Sequence, residues 1–130
     1  MSHSPFRSAR ARLLAVALGL SLSAVAWAHG EAQARFGGIV KAAQEISFEL
    51  VPAAAGGAEV YLDDHGDLMP TTGITGKLTV VGKSGRKEAA LEADGKKLVA
   101  PGVNPAAGDK VVLVVVLPSQ QTISVRYAIP

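Results

Sequence analysis

The chain has 130 residues, 48% hydrophobic and 18% charged, with 13 Lys and Arg against 11 Asp and Glu for a formal net charge of +2. That length accommodates one domain and little else. There is no cysteine, which excludes disulfides, thiolate metal sites and cysteine nucleophiles and leaves packing alone to stabilise the fold.

The first 28 residues differ in kind from the rest. Arg7, Arg10 and Arg12 open the chain with no acidic residue to offset them; Leu13 to Val25 is an unbroken run of apolar and small residues, and Ala26-Trp27-Ala28 closes it as small-x-small. That three-part layout is a secretory signal peptide. Leu13 to Ala28 is 16 residues, short of the ~20 that a membrane-spanning helix needs, so cleavage after Ala28 is expected rather than a retained anchor. There is no Arg-Arg pair and no Cys after the apolar run. Both absences point to a soluble protein sent through the general export route to the periplasm, without membrane contact after cleavage. Losing the three Arg leaves ten cations against eleven anions, a net charge of −1. The basic character therefore belongs to the signal, and a nucleic-acid role loses the concentrated positive surface it requires.

The mature chain divides into a polar, small-residue arm over 29–36, expected to be flexible, and a β domain over 37–130. From residue 37 onward short alternating runs are broken by turn residues, the pattern of a sandwich or barrel. Strands are expected at Gly37–Ala43, Ile46–Val51, Glu59–Asp63, Lys77–Val81, Lys87–Ala93, Lys97–Ala100, Val111–Leu117 and Thr122–Ala128. Turns are marked by Gly56-Gly57, Lys83-Ser84-Gly85 and Asp94-Gly95. Val111 to Leu117 is apolar at every position and carries five β-branched residues, as expected of a central strand covered on both faces. The expected architecture is all-β, an immunoglobulin-like two-sheet sandwich of about 7–8 antiparallel strands, with a small closed barrel as the second choice.

Two places could carry chemistry. Cleavage after Ala28 makes His29 the first residue of the mature protein, offering its α-amino group and its imidazole to one ion. That chelate suits Cu(II), which prefers tetragonal nitrogen and oxygen donors. The second place is Asp63-Asp64-His65-Gly66-Asp67. If the backbone stays extended, Asp63 and His65 project to the same side and could complete a metal square begun by His29. The arm from His29 to Phe36 reaches roughly 24 Å when extended, enough to span the distance. The same Asp-His-Gly-Asp run suits a plain turn equally well. The oxygen spacing of an EF-hand is missing, so calcium is not expected. Met69, the only Met after the signal, reads as core. Lys83, Arg86, Lys87, Lys96 and Lys97, interspersed with Glu88, Glu92 and Asp94, read as a mixed solvated face. With two His after the signal, no Cys and no Ser in a nucleophile-elbow context, no enzyme is expected.

A resemblance enters through several runs. His29-Gly30-Glu31, Gly37-Gly38-Ile39-Val40, Ile46-Ser47-Phe48-Glu49-Leu50-Val51, Val60 through Gly66 and Gly73 through Val80 together resemble small periplasmic proteins that accompany heavy-metal efflux systems of the copper/silver and cobalt-zinc-cadmium kinds. A looser likeness is to CopC-type periplasmic copper proteins, which bind Cu(II) on a β-sandwich through an N-terminal His and an Asp-x-His pair. That likeness implies His29, Asp63 and His65 as ligands of a copper ion here. One departure matters: the efflux-associated group is expected to carry further His before Gly37-Gly38, where this chain has Ala34-Arg35-Phe36. A poorer arm implies fewer or weaker metal sites. Two readings follow. One is a periplasmic metal-binding accessory protein of heavy-metal homeostasis or resistance. The other is a metal-free sandwich that binds another envelope protein, such as an efflux component, through strand edges or loops.

Overall fold

The computed structural model describes residues 32–130. The expected signal peptide, and the start of the arm including His29, lie outside the described residues.

Among the described residues ten strands form two sheets, and every pairing is antiparallel. The first sheet runs in the order β1 (Ile39–Ala43), β2 (Ile46–Pro52), β3 (Ala58–Asp64), β8 (Lys97–Ala100), β7 (Glu92–Asp94), with the short β4 (Asp67–Leu68) paired to β3. The second runs β10 (Thr122–Ala128), β9 (Lys110–Val116), β5 (Thr75–Gly82), β6 (Gly85–Ala90). The expected all-β, two-sheet sandwich is the observed one. β1 runs beside β10 of the other sheet without pairing to it, so the sheets approach on one side but no barrel closes.

The core lies between the sheets, as strand alternation requires. Phe48, Leu50, Val60, Leu62 and Leu98 of the first sheet meet Leu78, Leu113, Val115, Ile123 and Val125 of the second, all of them buried. Met69 packs against this cluster, as its sequence context implied. One hydrogen bond crosses the core: the Tyr127 hydroxyl donates to the Phe48 carbonyl oxygen at 2.9 Å. No buried side-chain nitrogen or oxygen among the described residues lacks a partner.

Three expectations are corrected. The strand expected over Lys87–Ala93 is two strands, because the chain changes sheets at Leu91. That residue buries its side chain and donates its N–H to the Gly76 carbonyl oxygen at 2.9 Å. The loop after Asp63 contains a strand: His65 (φ +50°) and Gly66 (φ +99°) are both left-handed, and such a two-residue turn folds the chain straight back onto its neighbour. Finally, β9 is central, as expected, but only one of its faces is fully covered. Val111, Leu113 and Val115 are buried, whereas Val112, Val114 and Val116 face outward and are half-buried.

Candidate functional site

The polar groups of the first sheet gather on its outward face. β2 and β3 alternate, so Phe48, Leu50, Val60 and Leu62 point into the core while Glu49 and its cross-strand partner Tyr61 point out. Register places Ser47 opposite Asp63 on the same outward face. Glu59 follows on β3, beside Lys97 of β8.

Over this face lies the segment just before β1. Glu49, only 5% exposed, accepts three backbone N–H groups: Arg35 at 2.9 Å through Oε2, and Phe36 at 2.8 Å and Gly38 at 3.0 Å through Oε1. A carboxylate with that many donors is satisfied without water. The Phe36 ring stacks on Tyr61, with centroids 3.8 Å apart and planes 15° from parallel. Arg35 places Nη2 2.8 Å from Asp63 Oδ2 and donates to the Gly66 carbonyl oxygen. The described end of the arm expected over 29–36 is therefore fastened to the sheet at Arg35 and Phe36. Beneath this strap is a cavity of about 10 Å³ bordered by Gln33, Arg35, Glu49, Tyr61 and Asp63, at the threshold for one water. It has no room for a small molecule.

Beside the strap runs a short polar chain. The Tyr61 hydroxyl donates to Glu59 Oε2 at 3.1 Å, and Lys97 Nζ lies 2.9 Å from Glu59 Oε1. Burial raises the Tyr61 phenol above its ordinary value, and the bond to Glu59 adds to the rise. The same carboxylate raises Lys97 through its hydrogen bond.

The sequence-derived metal residues fall as follows. Asp63 is nearly buried, with one oxygen on Arg35 and the other accepting the Gly66 N–H at 2.7 Å. A cation on that carboxylate would have to share it with a guanidinium already in contact, and like charges at such range repel. His65 does not continue the strand. Its left-handed backbone breaks the extended geometry on which the pairing with Asp63 rested. Its side chain is 74% exposed, with Nδ1 2.5 Å from Asp64 Oδ1. The Asp64 hydrogen bond and charge raise the imidazole above its ordinary value. Asp63 and His65 thus answer to different partners.

Among the described residues no group of three or more His, Cys, Asp or Glu is placed to hold a metal ion.

No family model, curated protein or solved structure matches this chain.

What the sequence left unseen is the strap. Arg35, Phe36, Glu49 and Tyr61 build the most connected polar cluster on this face, yet Arg35 and Phe36 belonged to a segment read as a free arm. Strand alternation did carry one signal: Glu49 and Tyr61 both point away from the core. A second cleft, of about 160 Å³, lies among Gly38, Ile39, Leu50, Pro52, Pro105 and Ile129; no titratable side chain lines it, so it offers shape without chemistry.

Proposed function

We propose that this is an exported accessory protein of heavy-metal handling that holds Cu(II) through His29 and His65. The supporting observation is the Arg35 clamp. By bonding to Asp63 and the Gly66 carbonyl it anchors the start of the domain beside the turn that carries His65. Ala32 is three residue steps from His29, about 10 Å of extended chain. A mature terminus beginning at His29 would have the His65 imidazole within reach of so short a tether. Asp64 engages Nδ1 of His65, the arrangement that orients a metal-binding imidazole and leaves Nε2 toward the ion. The amine and imidazole of His29 would supply the other donors, in keeping with the tetragonal nitrogen preference of Cu(II). Asp63, a ligand in the sequence reading, is assigned instead to holding the strap.

The test starts with the mass of the mature amino terminus, because a start other than His29 removes the chelate and ends this reading. Cu(II) titration then compares the exported protein with three variants. His29→Ala and His65→Ala are expected to weaken binding more than Asp64→Asn, whose loss of orientation costs about tenfold. Indistinguishable weak binding in all four proteins would refute it.

A further inference from the structure

We propose that the outward face of the second sheet is a docking surface for another protein, one whose own contact face is apolar at its centre and acidic at its rim. The centre of the surface is the row Val112, Val114, Val116 on β9. Cross-strand register sets Thr79, Lys77 and Thr75 of β5 on one side of that row and Arg126, Ser124 and Thr122 of β10 on the other. Val81 extends the apolar strip beside Lys110 and is 45% exposed, one of two large hydrophobic side chains so open among the described residues. β-branched residues on a pleated surface make the flat, regular faces that pack against other sheets or helices. The strip is wider than a lone surface valine: Val112, Val114 and Val116 are half-buried in a row, while Thr79 at its flank is covered where its hydroxyl faces Glu88.

The rim names the partner. Lys77, Arg86, Lys110 and Arg126 are exposed around the valine row, against a single Glu88. Glu88 is already engaged, bonded to Arg86 and 3.8 Å from Lys77. Lys110 and Arg126 make no ion pair among the described residues. A complementary surface must therefore bring carboxylates to the edge and aliphatic groups to the middle.

A second copy fits poorly in either arrangement. Packed face to face, two basic rims would meet. Packed head to tail, the rim would meet the first sheet's outward face, where Glu49 is taken by three N–H groups, Asp63 by Arg35 and Gly66, and Glu59 by Tyr61 and Lys97; the exposed carboxylates left there are Glu92 and Asp94, confined to the short edge strand β7 and away from any apolar row. A lipid surface fits poorly too, because the face carries no aromatic anchor. Four strands at ~4.8 Å spacing and seven residues at ~3.3 Å give a face of roughly 440 Å². That is about half the ~800 Å² that each partner contributes to a standard interface, so the contact is a transient one steered by charge.

Two cyclic hairpin peptides test this, each presenting a valine face, one edged with glutamate and the other with lysine. Added to the exported protein, the glutamate peptide is expected to shift amide resonances of β5, β9 and β10. It should bind about tenfold more tightly than its lysine twin, the scale of several rim pairs. Lys110→Glu with Arg126→Glu should reverse that preference while the remaining spectrum is unchanged. Equal binding of the two peptides, no binding of either, or shifts confined to other strands would overturn the proposal. So would a dimer in sedimentation that Val114→Lys dissociates, or binding of phosphatidylglycerol vesicles in place of the glutamate peptide.

Discussion

Glu49 sits in sequence between two core residues, Phe48 and Leu50, yet its carboxylate belongs to the opposite face of the sheet. What buries it is the chain itself, folded back over β2 and bonded through Arg35, Phe36 and Gly38. Hydrogen bonds to a charged group contribute about 1.5–3 kcal/mol each way they are measured. Glu49→Gln removes the charge and leaves an amide nitrogen facing N–H donors. It is expected to lower stability by about 2 kcal/mol, read as a drop in the urea midpoint with an unchanged slope. Amide hydrogen exchange at Phe36 and Gly38 should accelerate far more than exchange in β9; uniform acceleration would show that the strap is not held by this carboxylate. Alternation along the sequence was enough to aim Glu49 outward. It could not show that the residue is buried, because where the segment before β1 docks depends on groups that only the folded sheet assembles. The reading of Asp63 with His65 failed for a related reason. Two-residue spacing implies one side only while the strand stays extended, and a non-glycine residue at φ +50° is rare enough that sequence patterns seldom announce it.

Strands of regular alternation were legible: β2, β3, β8, β9 and β10 lie within a residue or two of where hydrophobic periodicity puts them. The difficult stretch is residues 85–94, where small and charged residues give no clear face. There the chain passes from one sheet to the other at Leu91. Gly76 makes this passage possible. Its φ of +152° is a conformation that side chains avoid, and a Cβ there would stand 2.0 Å from the Val114 carbonyl oxygen. That closeness lets β5 lie against β9 while its own carbonyl receives the Leu91 N–H. Gly76→Ala must therefore push two central strands apart. A loss of about 2–3 kcal/mol is expected from strain and lost packing, measurable as a thermal midpoint lowered by several degrees. A variant as stable as the native protein would mean that β5 can shift without penalty.

Taken whole, the sandwich has two unlike outer surfaces. One is closed on itself at its centre, where Glu49, Glu59 and Asp63 are matched by a guanidinium, an ammonium, a phenol and backbone N–H groups. The other shows valines and unmatched cations. Composition could not reveal this division, since positive and negative residues nearly balance and are interspersed along the chain. Register sorts them.

The seven residues Val111 to Leu117 have a further consequence, felt before the fold exists. They combine strong β-propensity with no charge, no proline and no glycine, which is the composition of segments that stack into intermolecular cross-β structure. While the chain folds, this segment acquires its partner β5 only after the 27 intervening residues, 83–109, have found their places. Lys110 and Pro118 bracket it, a cation and a residue that cannot join a ladder, as is common around such stretches. Replacing both, as Lys110→Thr with Pro118→Thr, is expected to leave the native sandwich nearly as stable while raising light scattering during refolding from denaturant. The valines that leave a face open in the finished protein are thus the same ones that must be kept apart, molecule from molecule, while it forms.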